Sequence, residues 1–250
     1  MTYCVGMLLD TGLVFLSDSR TNAGVDQISS FRKVTVLERP GDRVLVLLSS
    51  GNLAISQALV NILQEQMASF VPGTDQPPNL KTAVNMFEAA RCVGDALREV
   101  HKRDAAALEE HNIEFNATFI FGGQIGNELP RLFHVYSAGN FIEATNDTPY
   151  FQIGESKYGK PIIDRVVTRS TSLAEAAKCA LISMDSTIRS NLSVGAPLDL
   201  VCIRRDALKV MSHISMDAEH EYFRMIRKRW SESLRHAFHE LPDPEWLRSS

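Results

Sequence analysis

The sequence predicts an α+β fold in which antiparallel sheets carry helices on their outer faces. Three observations lead there. Runs of β-rich segments alternate with pairs of long helical patterns, and single βαβ units do not repeat. The 250-residue chain has no convincing linker, internal repeat or low-complexity tract, so 1–250 reads as one domain ending in a helix and tail over 217–250. Its hydrophobic content of 44% is that of a soluble globular protein, and a domain of this length buries roughly 70–75% of its unfolded surface without staples.

Residues 3–9 (YCVGMLL) and 12–18 (GLVFLSD) are β-rich and flank Asp10-Thr11-Gly12, which predicts a hairpin. Residues 19–31 are polar and turn-rich. Strands are expected at 32–38 and 43–49, separated by Pro40-Gly41-Asp42. At Ser50-Gly51-Asn52 the period changes. Leu53, Ile55, Leu59, Ile62, Leu63 and Met67 then recur at helical spacing as far as Phe70. Beyond a Pro/Gly loop, a second helix is expected from Thr82 to His111, with Val84, Phe87, Ala90, Val93, Leu97 and Val100 on one face. β character returns at 115–122, 129–137 and 149–153, and Gly154-Glu155-Ser156 leads into helical patterns at 157–168 and 172–190. Strands at 198–204 and 207–214 flank Asp206-Ala207. The last helix, 217–241, repeats Phe223, Ile226, Trp230, Leu234 and Phe238. Met86, Met184 and Met211 read as core fillers.

Composition excludes several classes of function. With 26 Lys plus Arg against 30 Asp plus Glu, the net charge of −4 argues against a nucleic-acid binder. Cys4, Cys92, Cys179 and Cys202 are scattered, with no CxxC and no His cluster, which argues against a zinc site or redox pair and for a reduced, cytoplasmic chain. His101, His111 and His134 lack ligand spacing. No apolar run approaches the ~20 residues of a membrane span, and Asp10 interrupts the first one, which also lacks the basic start of a signal peptide. Arg224, Arg227, Lys228, Arg229 and Arg235 crowd the final helix. They read as a solvated face, with subunit contact as the competing reading.

The chemistry begins at the second residue. An initiator Met before a small residue such as Thr is normally trimmed, which would make Thr2 the amino terminus. Such a residue holds a nucleophile and a base together: its Oγ attacks a carbonyl, and its α-amine, with a reference pKa near ~8, takes the proton. The hairpin starts at once, so Thr2 is anchored at a strand end. Asp18-Ser19-Arg20-Thr21 closes the second strand and Phe31-Arg32-Lys33-Val34 opens the next. Adjacent strand ends can bring Asp18 and Lys33 beside Thr2. There the lysine charge would depress the amine and hydroxyl pKa values, and Asp18 would keep the lysine protonated. The competing reading is a structural salt-bridge cluster of Asp18, Arg20 and Lys33.

The stretch TYCVGMLLDTGLVFLSDSRTNAG resembles the start of a proteasome β subunit, with its Thr-x-x-V-G strand followed by a strand ending in Asp-x-Arg-x-Thr. HslV-type proteases share this pattern. The longer string MTYCVG…GLVFLSDSRTNAGVDQISSFRK is most similar to Anbu, the bacterial "ancestral β subunit" family of proteasome-type proteases. IGESKYGKPIIDR and SMDSTIRSNLSVGAPLDL extend the similarity along the chain. The resemblance implies a four-layer αββα sandwich of the N-terminal-nucleophile hydrolase type. It implies Thr2 as nucleophile, Asp18 and Lys33 as the residues that tune it, Arg20 as a structural support, and Gly51 as the glycine whose N–H receives the oxyanion. A Gly at a strand-to-helix turn, where helix-start N–H groups are unpaired, suits that last role.

The later motifs depart from the proteasome pattern. Glu155 and Ser156 stand where Gly-Ser-Gly is usual. Asn191-Leu192-Ser193-Val194-Gly195 replaces Asp-x-x-Ser-Gly, with Ser193 as a stand-in for the serine, and Asp185 or Asp199 as the acid if either reaches over. A Glu beside the terminal amine would favour its charged form and weaken the base.

The expected function is an N-terminal-threonine peptidase subunit without metal or organic cofactor, acting in the cytoplasm on peptide or unfolded protein, with no nucleic-acid or membrane partner. It should assemble with copies of itself into a ring or spiral through the helices at 52–70 and 82–111, burying at least ~1,000 Å² per neighbour. An ATPase partner stays open. The rival readings are an N-terminal-nucleophile amidase on a small amide, and a ring-forming scaffold with weak or vestigial activity.

Overall fold

A computed structural model describes residues 2–22 and 28–247. In chain order the elements are β1 (Tyr3–Leu9), β2 (Gly12–Asp18), β3 (Arg20–Asn22), β4 (Ile28–Ser30), β5 (Val34–Arg39), β6 (Arg43–Gly51), α1 (Leu53–Ala68), α2 (Met86–Glu110), β7 (Ala117–Ile125), β8 (Arg131–Val135), β9 (Phe141–Glu143), β10 (Tyr150–Gly154), α3 (Lys160–Val166), α4 (Leu173–Ser190), β11 (Leu198–Arg204), β12 (Val210–Met216) and α5 (Glu221–Glu240). A 3₁₀ turn follows at Glu245–Leu247. No helix of the described residues is long and apolar enough to cross a membrane.

Two antiparallel five-stranded sheets dominate this α+β fold, in the orders β10-β1-β2-β11-β12 and β5-β6-β7-β8-β9; β3 and β4 form a separate small ribbon. Strand periodicity explains how each sheet serves two cores. Cys4, Leu8, Leu13, Phe15, Val201 and Ile203 of the first sheet meet Val44, Val46, Leu48, Ile120 and Leu132 of the second. The alternate residues Tyr3, Val5, Met7, Val14, Leu16, Leu198 and Leu200 pack against α3, α4 and the start of α5. Leu45, Leu47, Phe119, Phe121, Phe133 and Val135 of the second sheet likewise pack against α1 and α2. Each sheet is apolar on both faces, so β1 and β2 are buried at every residue.

Helix starts follow their caps. Asn52 accepts the Ala54 N–H and Ser172 forms a reciprocal capping box with Glu175. Asn85 accepts the Glu88 N–H, so α2 begins at Met86 and not at Thr82. Val84, expected on the buried face, therefore precedes the helix and is 76% exposed. Phe87 is 52% exposed and lies edge-on to Phe141; the buried face is Met86, Ala89, Ala90, Val93, Ala96, Leu97 and Val100. Met86 and Met184 are buried as expected, but Met211 is 44% exposed on the edge strand β12, where it is the extra residue of the bulge opposite Cys202 and Ile203. The polar stretch 19–31 contributes β3 and β4, and its centre, 23–27, lies outside the described residues. β12 runs on to Met216, so the last helix starts at Glu221 and not at 217. Only Phe223 and Ile226 of α5 are buried, while Leu234 and Phe238, expected on the same stripe, are exposed.

Candidate active site

Thr2 enters directly into β1, which β2 flanks on one side and β10 on the other. The pairing of Tyr3 with Gly154 brings the end of β10 against it, and the Glu155 N–H donates to the Thr2 carbonyl at 2.7 Å. Gly154 has φ +80°, and a Cβ there would stand 2.0 Å from the same carbonyl oxygen. Only glycine permits this approach. Thr2 is thereby buried and fixed at the end of a central strand.

β2 ends at Asp18, which has no solvent exposure. One carboxylate oxygen accepts from the Lys33 ammonium at 2.8 Å and from the Tyr3 N–H at 3.0 Å; the other accepts the Gly195 N–H at 3.4 Å. Lys33, just ahead of β5, also donates to the Arg20 carbonyl at 2.7 Å. Burial pushes the Asp18 carboxyl above its ordinary pKa, opposed by the Lys33 charge and the two N–H donors. The neighbouring Cys4 thiol is pushed far up, by burial first and by the Asp18 charge second, and so stays a protonated core group.

Thr2, Arg20, Lys33 and Gly51 line one cavity of about 420 Å³, with Asp18 behind Lys33. Gly51 lies at the junction of β6 and α1 with φ +107°, and a Cβ would come within 2.3 Å of the Asn116 carbonyl. That carbonyl also accepts the Asn52 N–H at 2.7 Å, so the chain turns sharply into the helix beside Thr2. Ser49, Asn116 and Thr118 add polar lining that sequence reasoning missed. Asn116 and Thr118 flank the start of β7, opposite Gly51; the only signal for them was that pairing, which becomes visible once the sheet is built.

The carboxyl-terminal segments meet the site differently. Glu155 touches Thr2 through its backbone, while its carboxylate accepts from Asn191 Nδ2 at 2.9 Å and lies 3.7 Å from Lys157. Asn191 Oδ1 takes the Ser193 N–H. The side chains of Glu155, Ser156 and Ser193 do not line the cavity. Arg20 donates to the Leu192 carbonyl at 2.9 Å and packs on Gly195, where a Cβ would fall 2.4 Å from the guanidinium carbon. Neither proposed acid reaches over: Asp185 binds Arg189 and Arg227 between α4 and α5, and Asp199 accepts the Ser19 hydroxyl at 3.0 Å. Asp199 thus braces the residue between Asp18 and Arg20, a role sequence spacing did not single out. No group of three or more His, Cys, Asp or Glu side chains placed to hold a metal occurs among the described residues.

No protein-family model matches the chain, and no curated protein matches it. Solved structures do. Anbu from Hyphomicrobium sp. strain MC1 is 50% identical with a TM-score of 0.90, over 98% of this chain and 100% of that one. Anbu (ancestral beta-subunit) from Yersinia bercovieri is 52% identical with a TM-score of 0.90, over 98% and 99%. The Anbu of a helical assembly from Pseudomonas aeruginosa is 46% identical with a TM-score of 0.89, over 97% and 98%.

Proposed function

This chain belongs to the Anbu family of ancestral β-subunits, and from that premise we propose that it is a threonine-type peptidase subunit of a proteasome-like homo-oligomer. The observation that carries the reading is the Lys33 ammonium, held between the Asp18 carboxylate and the Arg20 carbonyl in the cavity that Thr2 lines. Removal of Met1, which lies outside the described residues, frees the Thr2 amine. That amine takes the proton from Oγ as Oγ attacks the peptide carbonyl. The positive charge of Lys33 favours the developing alkoxide, and the Gly51 N–H receives the oxyanion of the tetrahedral intermediate. The amine then hands the proton to the leaving nitrogen, and water cleaves the ester on Thr2. The reaction draws on no metal or organic cofactor.

The same reading makes 1–250 a single domain of the N-terminal-nucleophile hydrolase type, a four-layer αββα sandwich working in the cytoplasm on peptide or unfolded protein. Neighbouring subunits meet through outward surfaces of α1 and α2 and enclose Thr2. The helical assembly of the Pseudomonas relative supports self-association. A second reading, a scaffold with weak activity, is favoured by one observation: Glu155, Ser156 and Ser193 present no side chain to the cavity. Two measurements decide. Intact mass should show loss of Met1, and an epoxyketone or β-lactone should label wild type but not Thr2→Ala. Retained Met1, or labelling that survives the substitution, overturns the peptidase reading.

A further inference from the structure

Along β6 the residues that face the first sheet are Val44, Val46 and Leu48, and the next in that alternation is Ser50. On β7 the same face carries Ile120 and, at the strand's beginning, Thr118. The apolar layer between the sheets thus ends in two hydroxyls. Ser50 and Thr118 are paired directly across the strands, which sets their Cβ atoms about 4.5–5.5 Å apart on one face. Both line the cavity that holds Thr2, and a Cβ on Gly154 would stand 3.1 Å from the Ser50 hydroxyl oxygen. Neither hydroxyl has a hydrogen-bond partner among the described residues.

The charge of the same cavity has one sign. Arg20 and Lys33 line it, and among the described residues no Asp or Glu does. Asp18 balances Lys33 from behind. Arg20 has no carboxylate within ion-pair distance among the described residues, and its partner is the Leu192 carbonyl. The carboxylates of neighbouring segments are engaged elsewhere: Glu155 with Asn191 and Lys157, and Asp199 with Ser19. The cavity therefore keeps one uncompensated positive charge together with two free hydroxyl donors. A cleft lined by one sign of charge between low-dielectric walls concentrates the opposite ion.

We propose that Ser50 and Thr118 form a subsite for a carboxylate side chain of the substrate, so that the protein selects acidic peptides. Each hydroxyl donates to one carboxylate oxygen at about 2.5–2.7 Å, and Arg20 supplies the countercharge. Two donors one cross-strand spacing apart straddle the two oxygens of such a group. An amide of the same shape meets the same hydroxyls without the charge, and an ammonium is repelled. An apolar side chain strips both hydroxyls of water and leaves them unpaired, which is costly. This names the substrate class of the proposed peptidase and rests on that reading only in taking the ligand to be a peptide.

Calorimetric titration of the full-length Thr2→Ala protein, which cannot be acylated, reads the subsite without the reaction. The probes are acetyl-Ala-Ala-X-Ala-Ala-amide peptides with Glu, Gln, Leu or Lys at X. The Glu peptide should bind about tenfold or more tighter than the Gln peptide, the scale of a charge-assisted contact, and its advantage should shrink as salt is raised. A Glu peptide that binds no tighter than any one of the others overturns the proposal. Adding Thr118→Val, which keeps the side-chain shape and suits a strand, should cost the Glu peptide about tenfold in affinity and more than it costs the Leu peptide. An equal loss for both removes the hydroxyl pair from the account. Electrophile labelling of wild type separates the two readings. A Glu preference in a protein that never labels leaves the subsite standing and the peptidase reading fallen, and labelling without a Glu preference does the reverse.

Discussion

The two halves of the chain build the cavity by different means. The first 33 residues contribute the side chains of Thr2, Asp18, Arg20 and Lys33, with the Lys33 ammonium 2.8 Å from the Asp18 carboxylate and 2.7 Å from the Arg20 backbone carbonyl. The segments around 154 and 191–195 contribute backbone: the Glu155 N–H to Thr2, the Gly195 N–H to Asp18, the Leu192 carbonyl to Arg20. A carbonyl or N–H is available from almost any residue. A region that works through its backbone therefore keeps its geometry while its side chains change. Glycine is the exception, because Gly154 and Gly195 are required for the absence of a side chain.

Substitutions can break that contrast, beginning with the largest effect. Thr2→Ala should abolish covalent capture altogether with little change in melting temperature, whereas Thr2→Ser should keep part of the labelling rate; mass spectrometry after incubation with the electrophile reads both. Lys33→Ala should reduce turnover by about 10³-fold, the scale of losing one preorganised electrostatic group. It should also lower stability by about 3–5 kcal/mol in urea titration, because Asp18 is left charged in the core without a countercharge. Lys33→Ala with full stability would mean that Asp18 is already neutral.

Acid offers a subtler probe of the same pair. The Asp18 pKa is raised, so as pH falls Asp18 gains its proton before exposed carboxylates do. Labelling at Thr2 should therefore decline on the acid side at a pH above the ordinary aspartate range, and a decline confined to that range or below would contradict the burial argument. Next in size comes Gly195→Ala. The new methyl would push aside the Arg20 guanidinium and cost about 1–3 kcal/mol, with a smaller loss of labelling rate than Lys33→Ala. Smallest is Glu155→Gln, which keeps an acceptor for Asn191 and should shift stability by less than about 1 kcal/mol. If Glu155→Gln rivals Gly195→Ala in either assay, the second half acts through side chains after all.

The same division explains what the sequence made legible. The hairpin at 3–18 was readable because two largely apolar strands flank a polar turn, and Thr2, Asp18 and Lys33 were readable because each stands at the end of a strand. Strand β9 and the β3–β4 ribbon, three residues per strand, are too short to show a period. The start of α2 depended on whether Asn85 or an earlier residue capped it, a choice made by one hydrogen bond to the Glu88 N–H. Ser49, Asn116 and Thr118 came together only through the pairing of β6 with β7, a long-range register that no local pattern encodes. The exposed end of α5 misled because its stripe is continuous, and periodicity cannot tell a face covered by the chain's own core from one left open.

The hydrogen bond from Glu155 to Thr2 also has a meaning in time. A chain is synthesised from its amino terminus at roughly 5–20 residues per second, and the first hairpin can form early from local contacts. Thr2 gains its outer strand only when residue 154 has emerged, and Asp18 its last N–H donor only with Gly195. The nascent chain thus carries Thr2 for most of its synthesis without the strand and donor that hold its surroundings in place. Completion of the cavity waits on the half of the sequence that contributes to it through backbone.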